Sequence, residues 1–215
     1  MKRGLLLIAM SSCTWIACAQ SRGSPAFPET STPTIANFAP GCRIRVAQPA
    51  TSRFDVTYRL ESGWGGGAFV LDDLKFLPGT WFFGLVCYSA GEGHVREGWA
   101  VPTFDGKWRL NDDEGTQQLL PLGALRFYEL TAKNSRGWAV AVDDISGDER
   151  FRQRKLSYCL IREPKAICGG GDMGYLRDFR RHKDADLTPR ILDLLRSIEF
   201  LEDETPLPAV PVRRP

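Results

Sequence analysis

Ser89 lies in a segment, residues 87–91 (CYSAG), that has nearly the spelling of a nucleophile elbow. The pattern G-x-S-x-G places a serine on a sharp turn, and here Cys87 stands where the first glycine should be. Glu163 and His182 follow, so the chain order is serine, acid, histidine. In such a triad Ser89 attacks an acyl carbon, His182 accepts its proton and Glu163 orients the imidazole. The chemistry would be acyl transfer.

The order serine, acid, histidine resembles that of α/β-hydrolases, including secreted cutinase-type esterases. The resemblance implies an esterase whose helices alternate with buried parallel strands. Between Ser89 and Glu163, however, apolar residues alternate with period two, and hairpin turns separate the runs. A secreted serine esterase is therefore the alternative hypothesis, and a non-catalytic protein is the first.

Neither a metal site nor a cofactor is predicted from the remaining motifs. His94 and His182 are far apart, and neither has a ligand-type neighbour three or four residues away in a known motif. Residues 169–174 (GGGDMG) match G-x-G-x-x-G, which in dinucleotide sites joins a parallel strand to a helix. The strand before them belongs to a predicted hairpin, so we predict a glycine-rich exit from an edge strand.

Charged side chains gather around residues 143–155. The acidic members could form the carboxylate pair of a glycoside hydrolase, but a turn favours solvated acids. They are Asp143, Asp144, Asp148 and Glu149. Arg150, Arg152 and Arg154, followed by Lys155, would form a positive ridge on one strand face, for an acidic partner, for anionic lipid or to protect an edge strand. A second basic group comprises Arg177, Arg180, Arg181 and Lys183.

Four cysteines follow the N-terminal segment, which holds the other two. An even number of cysteines in an oxidising compartment indicates disulfides before metal ligands. Of the three connectivities we favour Cys159 with Cys168 and Cys42 with Cys87. Folding the chain about Glu163 sets Cys159 and Cys168 opposite each other on antiparallel strands, where their Cβ atoms are close enough to bridge.

The first 19 residues have the pattern of a secretory signal peptide. Lys2 and Arg3 precede an apolar run at 5–10, and residues 17–19 (ACA) match a cleavage site. The run is shorter than the roughly 20 residues that cross a bilayer. We therefore predict a periplasmic or secreted protein without a transmembrane span.

Two fates of Cys18 stay open. Removal with the signal peptide would leave a free domain, whereas residues 16–18 (IAC) resemble a bacterial lipobox, which implies a lipid-modified cysteine. In the second case the Ser/Thr/Pro-rich residues 20–40 would be a flexible tether to the membrane.

Residues 41–204 have the length of one ordinary domain, and residues 205–215 form a Pro-rich tail. The chain holds 28 basic and 26 acidic residues, and loss of Lys2 and Arg3 with the signal leaves no net charge. A neutral domain has no basic field for nucleic acid, so no nucleic-acid partner is predicted.

The domain is predicted to be α+β, with a meandering antiparallel sheet and a C-terminal amphipathic helix on one face. Period-two alternation predicts strands near 53–60, 80–88, 95–101, 125–132, 137–145 and 154–161. Thr188 is placed to cap a helix, Pro189 suits its first position, and the apolar residues at 191–198 share one side.

A basic strand, a cysteine hairpin and an amphipathic helix run into residues 197–200 (SIEF). This ending resembles the C-terminal part of Mog1/PsbP/DcrB-type domains, some of which are bacterial envelope lipoproteins. The resemblance covers about the last third of the domain and implies a non-catalytic binding domain. We therefore expect an exported envelope protein that binds a partner, such as another envelope protein, in the manner of an inhibitor or toxin-immunity protein.

Overall fold

The structure, a computed structural model, describes residues 32–202 except 39, 49–51, 60–64, 72, 73, 75, 77–79 and 97. The strands are β1 (Thr32–Asn37), β2 (Arg43–Gln48), β3 (Ser52–Arg59), β4 (Gly65–Leu71), β5 (Trp81–Ser89), β6 (Ala100–Pro102), β7 (Trp108–Leu110), β8 (Leu125–Thr131), β9 (Arg136–Asp143), β10 (Gln153–Arg162), β11 (Lys165–Tyr175) and β12 (Glu199–Leu201). The helices are α1 (Gly93–Arg96), α2 (Glu114–Leu119), α3 (Leu176–Phe179) and α4 (Thr188–Ser197), with a 3-10 turn at Lys183–Ala185. The predicted signal peptide, Cys18 and the Pro-rich tail lie outside the described residues.

Seven antiparallel strands form the main sheet, in the order β3-β4-β5-β11-β10-β9-β8. The predicted antiparallel sheet is present, but it is not one continuous meander. After β5 the chain crosses to the far edge at β8 and then returns strand by strand, until β11 pairs with β5. The glycine-rich segment predicted to leave an edge strand therefore lies inside β11, in the middle of the sheet.

One face of the main sheet packs against a second layer made of α4 and the three-stranded sheet β1-β2-β12. The predicted apolar side of α4 is buried in this core, which draws on Phe83, Leu85 and Leu160 of the main sheet. Each such side chain contributes about 1.5–3 kcal/mol by burial. The helix begins one residue earlier than predicted, because Leu187 and not Thr188 occupies the cap position. The Asp186 carboxylate accepts the Thr188 N–H at 3.0 Å.

The opposite face of the main sheet carries a third layer, in which α1, α2 and the β6-β7 hairpin cover a smaller core around Trp138, Val140 and Cys159. Residues 95–101, predicted as one strand, divide between α1 and β6. His94 consequently belongs to α1 and not to a strand start. Of the helices in the described part of the chain, only α4 is longer than six residues. The fold is therefore mostly antiparallel β-sheet, and the predicted α+β class holds only in part.

The folded part begins earlier than predicted. Strand β1 lies within residues 20–40, the predicted flexible leader, and pairs along its length with β2. Alternation accounts for it: Ala36 faces the core and is buried, whereas Ile35 is exposed. This alternation is short, and the Ser, Thr and Pro residues around it are typical of a flexible segment, so the sequence did not predict the strand.

Both favoured disulfides are present. Cys159 and Cys168 face each other on β10 and β11, with an S–S distance of 2.06 Å. Cys42 and Cys87, which are 45 positions apart in the sequence, join the second layer to the main sheet with an S–S distance of 2.09 Å. In the loop-closure model these bonds stabilise the fold by about 3 and about 4 kcal/mol respectively.

Candidate functional site

The three residues of the esterase hypothesis do not meet. Ser89 is the last residue of β5 and is in register with Lys165, so it lies beside the β10-β11 turn that holds Glu163. His182 follows the other end of β11: the Ala185 N–H bonds its carbonyl, and the Leu187 N–H bonds the Met173 carbonyl. A strand rises about 3.3 Å per residue, so the length of β5 alone separates the two ends by about 26 Å.

Ser89 and His182 therefore lie at opposite ends of the sheet, and the structure does not bring together Ser89, Glu163 and His182, the triad of the alternative hypothesis. The imidazole instead stacks on the Phe76 ring, with 4.5 Å between the ring centroids. Only the order of the three residues along the chain suggested the triad. That order gives no information on the distance between their side chains in the folded protein.

Three loops converge at the end of the main sheet where His182 lies, and we call this the loop end. It comprises residues 120–124 before β8, residues 144–152 between β9 and β10, and residues 176–187 after β11. Backbone hydrogen bonds join them in sequence: the Asp143 N–H to the Ala124 carbonyl at 2.7 Å, and the Leu176 N–H to the Arg152 carbonyl at 3.0 Å. The three loops are therefore neighbours at this end of the sheet.

A buried ionic network fixes the loop end to the sheet. The Arg154 guanidinium donates to both Asp143 oxygens and to Asp186, and its charged plane lies 4.8 Å over the Phe179 ring. Arg126 donates to the same Asp143 carboxylate at 2.8 Å. Because Asp186 also caps α4, the network connects β8, β9, β10 and the helix.

The predicted positive ridge is consequently absent from this strand face. Only 8% of the Arg154 side chain is exposed, and Arg150 lies in the turn before β10, where it binds Asp148 at 2.6 Å. Arg152 donates to the Gly147 carbonyl and pairs with Glu149 at 3.7 Å. Alternating charges share one face only when they lie on one strand, and β10 begins at residue 153, after Arg150 and Arg152.

Two of the four acidic residues of the cluster, Asp143 and Asp148, bind arginine side chains. Burial raises the pKa of Asp143, and the hydrogen bonds from Arg154 and Arg126 lower it by more, so the pKa is below its ordinary value. The hydrogen bonds from Arg150 likewise hold the pKa of Asp148 low. A glycosidase needs one carboxyl group with a raised pKa to act as the acid.

Large apolar side chains are exposed on two of the three loops. They are Leu120, Leu122, Ile145 and Phe151, and Phe151 is 65% exposed. The Arg150 guanidinium lies 5.6 Å from the centre of the Phe151 ring. The sequence carries a signal for this surface, because the apolar run at 119–122 and Phe151 interrupt otherwise polar turns.

The charges around these side chains balance. Residues 144–152 and 176–186 together contain six basic residues and six acidic residues. Several are paired within the same loop, including Arg177 with Asp178. The second predicted basic group, at 177–183, therefore lies at the loop end among acidic residues and makes no one-sided positive field.

No protein-family model matches the chain, and a search of curated proteins finds none that matches it as a relative. In the part of the chain that the structure describes, no group of three or more His, Cys, Asp or Glu residues is placed to hold a metal ion. No described helix is long and apolar enough to cross a membrane. The resemblance to Mog1/PsbP/DcrB-type domains stays a prediction.

Proposed function

We propose that this chain is an exported, non-catalytic protein that binds another protein through the loop end, as an inhibitor or immunity protein does. The observation that carries the proposal is the group of exposed apolar side chains on loops that the Arg154 network holds in place. Soluble domains seldom expose several large apolar side chains side by side, and such patches with polar rims mark interaction sites. A rigid support lowers the cost of binding, because the loops need little ordering.

The chemistry of the loop end favours a protein over other partners. Nucleic acid and anionic lipid both require an excess of basic residues. The balanced charges here suit a polypeptide surface of mixed charge, and aromatic and arginine side chains such as Phe151 and Arg150 are common at the centres of protein interfaces.

Two features support export. Both disulfides join cysteines that are nearly completely buried, as expected of a domain that matures in an oxidising compartment. Residues 1–19 have the pattern of a signal peptide, although they lie outside the described residues. The proposal holds whether Cys18 is removed or lipid-modified, because either form presents the loop end.

The test places a photo-crosslinking amino acid at Phe151 in the full chain, expressed in a bacterial host with its envelope intact. Phe104 is the matched control, because it is a fully exposed phenylalanine on the β6-β7 turn. We expect one discrete protein adduct at position 151, and its loss when Leu122→Asp is added. Equal adducts at 151 and 104, or none at 151, would overturn the proposal.

A further inference from the structure

Strand β8 is the last strand of the main sheet, so one of its sides pairs with β9 and the other forms an edge. At one end of the strand the Asp143 N–H bonds the Ala124 carbonyl, and at the other the Ala132 N–H bonds the Ser135 carbonyl. Both bonds continue the β8-β9 register. Residues of an antiparallel pair bond the neighbouring strand at every second position. The even-numbered residues of β8 therefore bond β9, and the backbone groups of the odd-numbered residues point outward.

The outward-pointing groups of β8 include those of Phe127, Glu129 and Thr131. Each of these residues directs one N–H and one carbonyl away from β9, and none of these groups has a hydrogen-bond partner among the described residues. The outward-pointing residues recur about 6.7 Å apart, which is the spacing of the matching groups in another extended chain. An edge of this kind is a template for an added strand.

The two edges of the main sheet are built differently. At the opposite edge, the register of β3 against β4 shifts between Val56 and Tyr58, and such bulges protect an edge from further pairing. Strand β8 pairs with β9 without a shift from Leu125 to Thr131, and its sequence contains neither proline nor lysine. The β8 edge is therefore the more regular of the two and the better suited to accept a strand.

The β8 edge begins at the loop end. Residues 120–124, in which Leu120 and Leu122 are exposed, lead directly into Leu125, the first residue of β8. Glu129 is five positions beyond Ala124, which is about 17 Å along a strand. A partner that contacts the loop end thus needs only a short extended segment to reach the middle of β8.

From this geometry we infer that the partner bound at the loop end adds an extended segment to the β8 edge, as an eighth strand of the main sheet. The inference rests on the proposed function and names the part of the partner that binds. In strand addition, hydrogen bonds between the two main chains supply affinity, and the side chains beside them supply specificity.

Two side chains of β8 specify the chemistry of the added segment. Phe127 and Glu129 are two residues apart and share one side of the sheet. Phe127 is half-buried against the smaller core, whereas Glu129 is exposed and makes no ion pair with any other described residue. Apolar side chains next to an aromatic ring and opposite charges form favourable cross-strand pairs. The segment accordingly carries an apolar residue opposite Phe127 and, two positions away, a lysine or arginine opposite Glu129.

Hydrogen exchange of the purified, oxidised chain, followed by NMR, tests the edge without any partner. The amides of Phe127, Glu129 and Thr131 should exchange about tenfold faster or more than those of Tyr128 and Leu130, which bond β9. Equal protection of the two sets would show that the edge is covered, and the inference would then fail.

A photo-crosslinking amino acid at Thr131, in the full chain and in the host used for Phe151, tests the occupant. We expect an adduct with the protein captured at Phe151. The matched control is Asp55, a half-exposed residue on the opposite edge strand, which should give no such adduct. Thr131→Pro removes one outward N–H and should lower the yield at Phe151 about tenfold, whereas Thr131→Ala keeps that N–H and the yield. Glu129→Lys reverses the charge and should also lower the yield.

Thr131→Pro counts only if it keeps the circular dichroism spectrum and unfolding midpoint of the wild type, and Glu129→Lys supplies a second variant that leaves the backbone unchanged. The absence of any adduct at Phe151 would contradict the proposed function itself. An adduct at Phe151 that both variants leave unchanged, with none at Thr131, would overturn only the added strand. An adduct at Thr131 that joins two copies of this chain would assign the edge to a second copy and would equally overturn the inference.

Discussion

The Arg154 guanidinium donates hydrogen bonds to both oxygens of the Asp143 carboxylate, at 2.6 and 2.9 Å, where only 8% and 14% of the two side chains are exposed. Burial removes water from both charged groups, so each charge is stabilised mainly by its partner. Arg126 and Asp186 complete the ionic environment, and all of these groups lie beneath the exposed loops. The stability of the fold and the shape of the loop end therefore depend on the same contacts.

Arg154→Met should lower the free energy of unfolding by about 3 kcal/mol, because it leaves the Asp143 carboxylate buried without its main partner. Urea unfolding followed by tryptophan fluorescence measures the change. Asp148→Asn is the control, since Asp148 pairs with Arg150 in an exposed turn, and we expect no measurable change. Equal losses in the two variants would show that burial of the Arg154 pair does not matter.

The Asp143 pair should also make stability depend on pH. Its folded pKa is below the unfolded value of about 3.9, so its contribution is complete above that value and is lost as the pH falls through the folded pKa. The difference in unfolding free energy between wild type and Asp143→Asn should be constant above about pH 5 and shrink at lower pH. A difference that grows on acidification would contradict this assignment.

Asn134 holds the last strand in place. Its side chain accepts the Phe200 N–H at 2.9 Å and donates to the Phe200 carbonyl at 2.7 Å, as a neighbouring strand would. Asn134→Ala should speed hydrogen exchange at the Phe200 amide and lower stability by about 1–2 kcal/mol. Lys133→Ala is the neighbouring control: its exposed ion pair with Glu199 should contribute little.

The separation of Ser89 from His182 predicts that the serine is chemically ordinary. A fluorophosphonate probe, which labels activated serines, should not modify Ser89, and Ser89→Ala should leave any hydrolysis of a p-nitrophenyl ester unchanged. Labelling at Ser89 that His182→Ala abolishes would restore the esterase hypothesis.

The period-two pattern predicted most of the strands, because apolar buried and polar exposed residues alternate along a half-buried strand. The hairpin with Cys159 and Cys168 was predictable for the same local reason. Pairing between distant strands was not: no residue in β5 indicates that β11, some eighty positions later, will be its neighbour. The contacts that matter most at the loop end are of this distant kind.

Arg154 is the clearest example of a residue whose contacts could not be predicted from the sequence. In the sequence it is one of three alternating arginines, and arginine is seldom fully buried. Its burial depends on Asp143 and Asp186, which lie 11 and 32 residues away in the sequence. The pairing of β9 with β10 and the cap of α4 place these two carboxylates beside it. The exposed apolar side chains were visible in the sequence, but their grouping depended on the same assembly.

The late pairing of β11 with β5 has a consequence for biosynthesis. A chain that has been made only as far as Ser89 has three strands, β3 to β5, whose inner edge stays without its partner until residues 165–170 are added. Such an edge offers unpaired amides and carbonyls to any neighbouring strand, and nascent chains are vulnerable to aggregation in this interval. The N-to-C order in which the strands become available thus exposes the centre of the finished sheet first and closes it last.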